Sequence, residues 1–181
     1  MISLDTSPAK KIAAESGVDL FSCYQCEKCT NGCPVSFAMD YKPHQIIRML
    51  QLGLTEEIAK ASSIWVCASC ETCFTRCPNQ IDIPKLMDYL KHSVIAKGKQ
   101  PAEKMVAAFH NVFMQNIRML GRVHETTLMG LYQMKTIAEK GFDLAEVKQN
   151  IKLGIEMFKR GRLSLIPRKA QDHKSVKRLF I

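Results

Sequence analysis

The chain has 181 residues, room for one domain with an extension but not for two full-sized independent ones. Its content of 46% hydrophobic and 24% charged residues supports a buried core and excludes disorder as the default state. The 26 Lys and Arg outweigh the 17 Asp and Glu by a net charge of +9, which favours an acidic or anionic partner; metal bound by several thiolates would pull that balance back toward neutral.

Residues 1–11 lack the apolar centre of a signal peptide, and no stretch reaches the roughly 18 to 20 apolar residues needed to cross a bilayer. A cytoplasmic location is therefore expected. A first cysteine group follows, Cys23, Cys26, Cys29 and Cys33, closed by Pro34. Pro43 then opens a helix carrying Ile46, Ile47, Leu50 and Leu52 and stopping at Gly53, and Thr55 reads as the N-cap of a second short helix through Ala59. Trp65 precedes the second cysteine group by two residues and is expected to act as a hydrophobic cover for a metal centre rather than as ordinary core. The second group is Cys67, Cys70, Cys73 and Cys77, closed by Pro78. Beyond it, Asp82 caps and Pro84 starts a helix with Leu86, Met87, Leu90 and Val94 on one face, ended by Gly98.

From Pro101 the pattern changes. Met105, Phe109, Val112, Phe113, Ile117 and Leu120 recur at helical spacing up to Gly121, and two further helical segments run from about Thr126 to Lys140 and from Asp143 to Arg160. Met105, Met114, Met119, Met129, Met134 and Met157 are expected mainly to fill a core. The last stretch holds Lys159, Arg160, Arg162, Arg168, Lys169, Lys174, Lys177 and Arg178 against Asp172 alone. No DNA-binding motif accompanies this basic tail, so docking on a partner protein or plain solvation is expected, with no nucleic acid and no direct membrane span. His44, His92, His110, His124 and His173 are scattered without ligand spacing. The organisation expected is a helical domain over 1–100, a helical extension for packing or subunit contact over 101–160, and the tail over 161–181.

All eight cysteines belong to the two groups, each C-x2-C-x2-C-x3-C-P, and every cysteine of the second lies 44 residues after its counterpart in the first. A disulfide framework fits poorly with a reducing compartment. Structural zinc is a second option, but its ligands usually come as two separated C-x2-C pairs. Two 4Fe-4S clusters fit this run, in which one short loop wraps three corners of a cube. In two-cluster ferredoxins the fourth cysteine ligates the other cluster. That rule predicts Cys23, Cys26, Cys29 and Cys77 on one centre, and Cys67, Cys70, Cys73 and Cys33 on the other. Lys28, Lys42, Arg48, Arg76 and Lys85 are candidates to tune the potentials, with a solvated surface role as the commoner fate of such charges. Short strand pairs normally frame a small ferredoxin, yet here the flanking segments are helical, so an all-α ferredoxin-type domain is expected.

The twin runs, the helical spacer and the helical tail resemble the iron-sulfur C subunit of heterodisulfide reductase, closely over about residues 20–97 and more loosely beyond. Related iron-sulfur domains occur in succinate dehydrogenase, fumarate reductase, glycolate oxidase and glycerol-3-phosphate dehydrogenase subunits. The resemblance implies an electron-transferring member of a hetero-oligomer, placed between an A subunit with flavin and iron-sulfur clusters and a cysteine-rich catalytic B subunit. No catalytic residue is expected, because every cysteine is committed as a ligand and a G-x-G-x-x-G fingerprint is lacking. The competing functions are a free dicluster ferredoxin carrier, an iron-sulfur subunit of a quinone-linked oxidoreductase, and a zinc-stabilised interaction module.

Overall fold

The computed structural model describes residues 5–164, 166–167 and 169–180; residues 1–4 of the N-terminal stretch and Arg168 of the basic tail lie outside the described residues. Helices are the regular elements, and no strand occurs among the described residues. The chain divides into two compact units, residues 1–104 and 105–181.

In the N-terminal unit α1 (Ser7–Ser16) starts with a proline in its first turn and ends at Gly17, whose φ of 65° suits a residue without a side chain. Helix α2 (Lys28–Asn31) lies inside the first cysteine group and a 3-10 turn (Ser36–Ala38) follows it. Helix α3 (Pro43–Gln51) buries Pro43, Ile46, Ile47 and Leu50, the i, i+3, i+4, i+7 stripe of an amphipathic helix. Helix α4 spans Thr55–Lys60; Leu54 occupies its cap position and Thr55 is its first helical residue, one step inside the place expected for it. Helices α5 (Ser63–Val66) and α6 (Thr72–Arg76) flank and enter the second cysteine group. Helix α7 (Ile83–Ala96) has the expected cap, Asp82 accepting a hydrogen bond from the Lys85 N–H at 3.0 Å.

Helix α2 packs on α6 and α3, α5 and α6 pack on α7, and α1 packs on α3 and α7. Leu20, Ile46, Ile47, Leu50, Ile58, Ile64, Leu86 and Met87 are fully buried between them. Each removes apolar surface worth roughly 1.5–3 kcal/mol from water, which holds the short helices α2, α5 and α6 that are too short to persist alone. Gly53 combines a φ of 78° with a close approach: a Cβ there would lie 2.2 Å from the Asp5 carbonyl oxygen, so only glycine lets the N-terminal segment cross the α3–α4 turn.

The C-terminal unit contains α8 (Lys104–Leu120), α9 (Glu125–Lys140), α10 (Leu144–Lys159) and α11 (His173–Arg178). Its buried residues combine aliphatic side chains with polar groups. Ala107, Ala108, Val112, Leu120 and Leu128 are joined by Asn116, whose amide accepts from the His124 N–H at 2.8 Å and donates to the His124 carbonyl at 3.3 Å. Both backbone groups of the α8–α9 turn are satisfied by one buried side chain. The methionines do not form the expected core: Met114, Met119, Met129 and Met134 are exposed, while Met105 and Met157 are half-buried. The buried positions of α8 are Ala107, Ala108, Val112, Asn116 and Leu120, so its buried face keeps Val112 and Leu120 of the expected stripe but leaves Phe109 exposed and Ile117 half-buried.

Candidate metal centres

The two cysteine groups fold into loops of the same shape. Gln25 and Glu27 in the first, and Ser69 and Glu71 in the second, have φ of 62°, 62°, 48° and 60°, and each pair is related by the 44-residue repeat. Left-handed backbone at a non-glycine residue costs about 1 kcal/mol or more, and such strain clusters where surrounding structure has a use for it. Here each pair of reversals curls the chain between three successive cysteines. Glu27 and Glu71 are also the cap positions of α2 and α6, which carry Cys29 and Cys73 on their second residues. Exposure repeats as well: Cys29 and Cys73 are buried at 8% and 9%, and Cys26 and Cys70 are exposed.

The structure sorts the eight cysteines into two sets. Cys23, Cys26, Cys29 and Cys77 line one recess of about 280 Å³, mouth included, with His44, Ile47, Ile81 and Ile83 in its walls. Cys33, Cys67, Cys70 and Cys73 line another of about 340 Å³ with Val35, Met39, Pro43, Pro84 and Met87. Each set therefore draws three sulfurs from one loop and one from the other, and Ile83, buried at the start of α7, borders both.

This donor set suits a cluster better than a single ion. Among the described residues no three His, Cys, Asp or Glu side chains converge as they would around one metal ion. The sulfurs instead surround a space with apolar walls, the arrangement that four thiolates on the corners of a 4Fe-4S cube require. Burial pushes the Cys29 and Cys67 thiols up and Cys73 up to about 12, so loading these positions must expel protons. Cys70 is held below the ordinary thiol value by the hydroxyl and N–H of Thr72. Gln25 donates to Cys23 Sγ at 3.3 Å.

Two clamps tie each loop's exit to the other's entrance. Asp40, after the first group, accepts from the Ser62 and Ser63 N–H groups at 2.8 and 2.9 Å, from the Tyr41 N–H at 2.9 Å and from the Ser63 hydroxyl. Asn79, after the second group, donates its amide to the Ser22 carbonyl. Lys28, Arg48, Arg76 and Lys85 are exposed, as surface charges. Lys42 is half-buried and binds the Ser36 and Met39 carbonyls, the latter at 3.2 Å, closing the 3-10 turn. Trp65 is buried in the core on α5 and borders neither recess, contrary to its expected role as a cover. Met39, Pro43, Met87 and Ile83 do that work instead, supplied by helices whose apolar stripes are readable but whose orientation is not. Sequence reasoning also misses Lys91, a buried cation whose Nζ donates to the Cys67 carbonyl at 3.3 Å. Its position on the Met87–Leu90–Val94 side of α7 is the one signal for it.

The hydrogen bonds hold the Asp40 carboxyl below its ordinary value of 3.8, outweighing the opposing effect of burial. A depressed carboxyl stabilises the fold fully above its unfolded pKa and stops doing so as pH falls through the folded value. Replacing Asp40 by Asn is expected to lower stability by about 1 kcal/mol, discounted for the exposure of the group. In anaerobic thermal unfolding, the difference from the natural protein should be constant above about pH 5 and shrink below pH 4. A difference that grows on acidification contradicts the assignment.

Residues 19–81 match the family model of a 4Fe-4S dicluster domain. The iron-sulfur C subunit of the CoB-CoM heterodisulfide reductase of Methanopyrus kandleri is 36% identical over 96 residues, 52% of this chain and 50% of its own. The C subunit of the H2:CoB-CoM heterodisulfide,ferredoxin reductase of Methanothermobacter thermautotrophicus is 33% identical over 108 residues, 59% of this chain and 58% of its own. The C subunit of the ferredoxin:CoB-CoM heterodisulfide reductase of Methanosarcina acetivorans is 29% identical over 96 residues, 53% and 38% of the two chains. The chain thus spans about half the length of the curated relatives it matches. With eight thiols in two four-sulfur recesses inside an all-helical unit, residues 19–81 are an α-helical ferredoxin-type domain for two 4Fe-4S clusters, in a chain similar to the iron-sulfur C subunits of heterodisulfide reductases.

Proposed function

We propose that this chain is an electron relay of a heterodisulfide reductase-like complex, passing single electrons between a flavin-bearing A subunit and a catalytic, cysteine-rich B subunit. The observation that carries the reading is the pair of four-cysteine recesses with Ile83 as their common border. Two 4Fe-4S clusters supply one-electron redox chemistry without bonds made to substrate. The residues assigned to them are Cys23, Cys26, Cys29 and Cys77 for one centre and Cys67, Cys70, Cys73 and Cys33 for the other. Ile47, Ile81, Ile83, Met39 and Met87 exclude water from the recesses, and the fixed backbone of the two loops holds the sulfurs in place through a change of charge.

Membership of a larger assembly is supported by apolar surface as well as by the names of the relatives. Phe37 is 86% exposed beside the first cysteine group, with Tyr24 and Phe74 also exposed. On α10, Leu144, Ile151, Ile155 and Phe158 form an exposed helical stripe. Large apolar side chains exposed along one helix face are the kind of surface that association covers. No helix among the described residues is long and apolar enough to cross a membrane. The extension over 101–160 and the basic tail are assigned to subunit contact.

The ligand assignment is tested with cysteine variants. Cys33→Ala should damage the centre anchored by Cys67, Cys70 and Cys73, so its residual paramagnetic signal after reduction should match that of Cys70→Ala. A match to Cys26→Ala instead overturns the exchange of ligands. The assembly is tested by anaerobic purification of the tagged chain from its own cells. A stoichiometric complex containing flavin and a cysteine-rich iron-sulfur subunit is expected; a cluster-loaded chain that elutes alone contradicts the complex.

A further inference from the structure

Among the described residues Lys91 is the one lysine or arginine that is buried, at 8% exposure. A buried ammonium is costly unless paired, so its surroundings call for an explanation. Lys91 lies one helical turn beyond Met87, on the side of α7 that borders the recess of Cys33, Cys67, Cys70 and Cys73. Its Nζ reaches the Cys67 carbonyl at 3.3 Å and Asp88 Oδ1 at 3.1 Å. Asp88 in turn accepts from the Ser69 hydroxyl at 3.2 Å, so the pair grips two residues of the second cysteine loop, one of them in the left-handed conformation.

The first recess has no equal of this charge. Neither recess has a lysine or arginine in its lining; Lys91 reaches the second through the Cys67 carbonyl, whereas the basic group at the first is His44 in its wall. The His44 Nδ1 lies 2.7 Å from the Thr30 hydroxyl and its Nε2 lies 3.7 Å from a Glu27 carboxylate oxygen. The two loops repeat each other in backbone, thiol exposure and ligand spacing, so the lysine is a difference laid on a symmetric scaffold.

The consequence is electrostatic. Reduction adds one negative charge to a centre already ringed by thiolates, and a fixed cation nearby in a poorly polarisable interior favours the charged product. Asp88 opposes it, but its side chain is 53% exposed against 10% for Lys91, so water screens the carboxylate more than the ammonium. We infer that Lys91 makes the centre held by Cys67, Cys70, Cys73 and Cys33 the more readily reduced of the two, giving a symmetric pair of sites a preferred direction. This rests on the ligand assignment proposed above. One electron leaves an external one-electron donor and one centre gains it, with no bond or proton exchanged.

The test is an anaerobic redox titration of the full chain followed by electron paramagnetic resonance, with dithionite as reductant and iron content measured on every sample. Lys91→Met is expected to lower the reduced-to-oxidised ratio of the Cys67-anchored centre about tenfold at a given solution potential, about 59 mV for one electron, while the other centre shifts less than about twofold. Lys91→Arg should restore the ratio to within about twofold, and Asp88→Asn should move it in the opposite direction. A fully loaded Lys91→Met protein with neither centre shifted, or with both shifted equally, overturns the inference. Should Lys91→Met lose a cluster, Asp88→Asn decides: an upward shift confined to the same centre supports the role, and no shift overturns it. Failure of the ligand assignment itself shows separately, as iron for fewer than two clusters in the natural protein or as the wrong centre damaged in Cys33→Ala.

Discussion

Cys33 and Cys77 each leave the loop that presents them and enter the recess of the other. That single exchange governs the N-terminal unit. Each recess takes its fourth sulfur from the other loop, so neither is complete until both segments are folded together. Residues 23–33 and 67–77 must then approach across a spacer of more than thirty residues, and α3, α4 and α5 provide it. The apolar stripe of α3 and the length of α7 matter for function because they hold the two loops face to face, with Ile83 between them.

The loops themselves are strained. Four non-glycine residues sit in the left-handed region at matching positions, and isolated loops of this kind would relax. The hydrogen bonds from Ser62 and Ser63 to Asp40, and from Asn79 to Ser22, oppose that relaxation by fastening each loop's exit to its neighbour's entrance. Metal binding adds to the same constraint, since ligation energy counts toward folding wherever the site does not exist in the unfolded chain. A rigid thiol framework in an apolar setting also suits electron transfer, because little has to move when the charge changes.

Much of this was readable from residues. The repeated C-x2-C-x2-C-x3-C-P run carries the number and kind of donors, and Pro43, Asp82, Pro84 and Gly98 mark the helices around it. The all-helical class follows from those marks. Other features depend on tertiary placement that local pattern does not encode. Trp65 looks like a cover because it is two residues from Cys67, yet α5 turns it into the core. The methionines of the extension fit a core by composition, but Ala107, Ala108, Val112, Asn116 and Leu120 form the buried face of α8 and leave Met114 and Met119 exposed, as Met129 and Met134 are on α9. Helix α1 has a proline start and a glycine stop but a weak apolar stripe, so it does not stand out by periodicity. Lys91 sits among charged and polar neighbours, Asp88 and His92, which read as surface, yet it is buried in the folded unit.

The most direct measurement of the central claim is electron paramagnetic resonance of the anaerobically purified chain, fully reduced, alongside its iron and sulfide content. The proposed exchange of ligands would hold two clusters close enough for their spins to interact, so the account predicts about eight irons per chain and a broadened, split signal from a coupled pair. Two sharp and independent signals, or a single cluster, would contradict it.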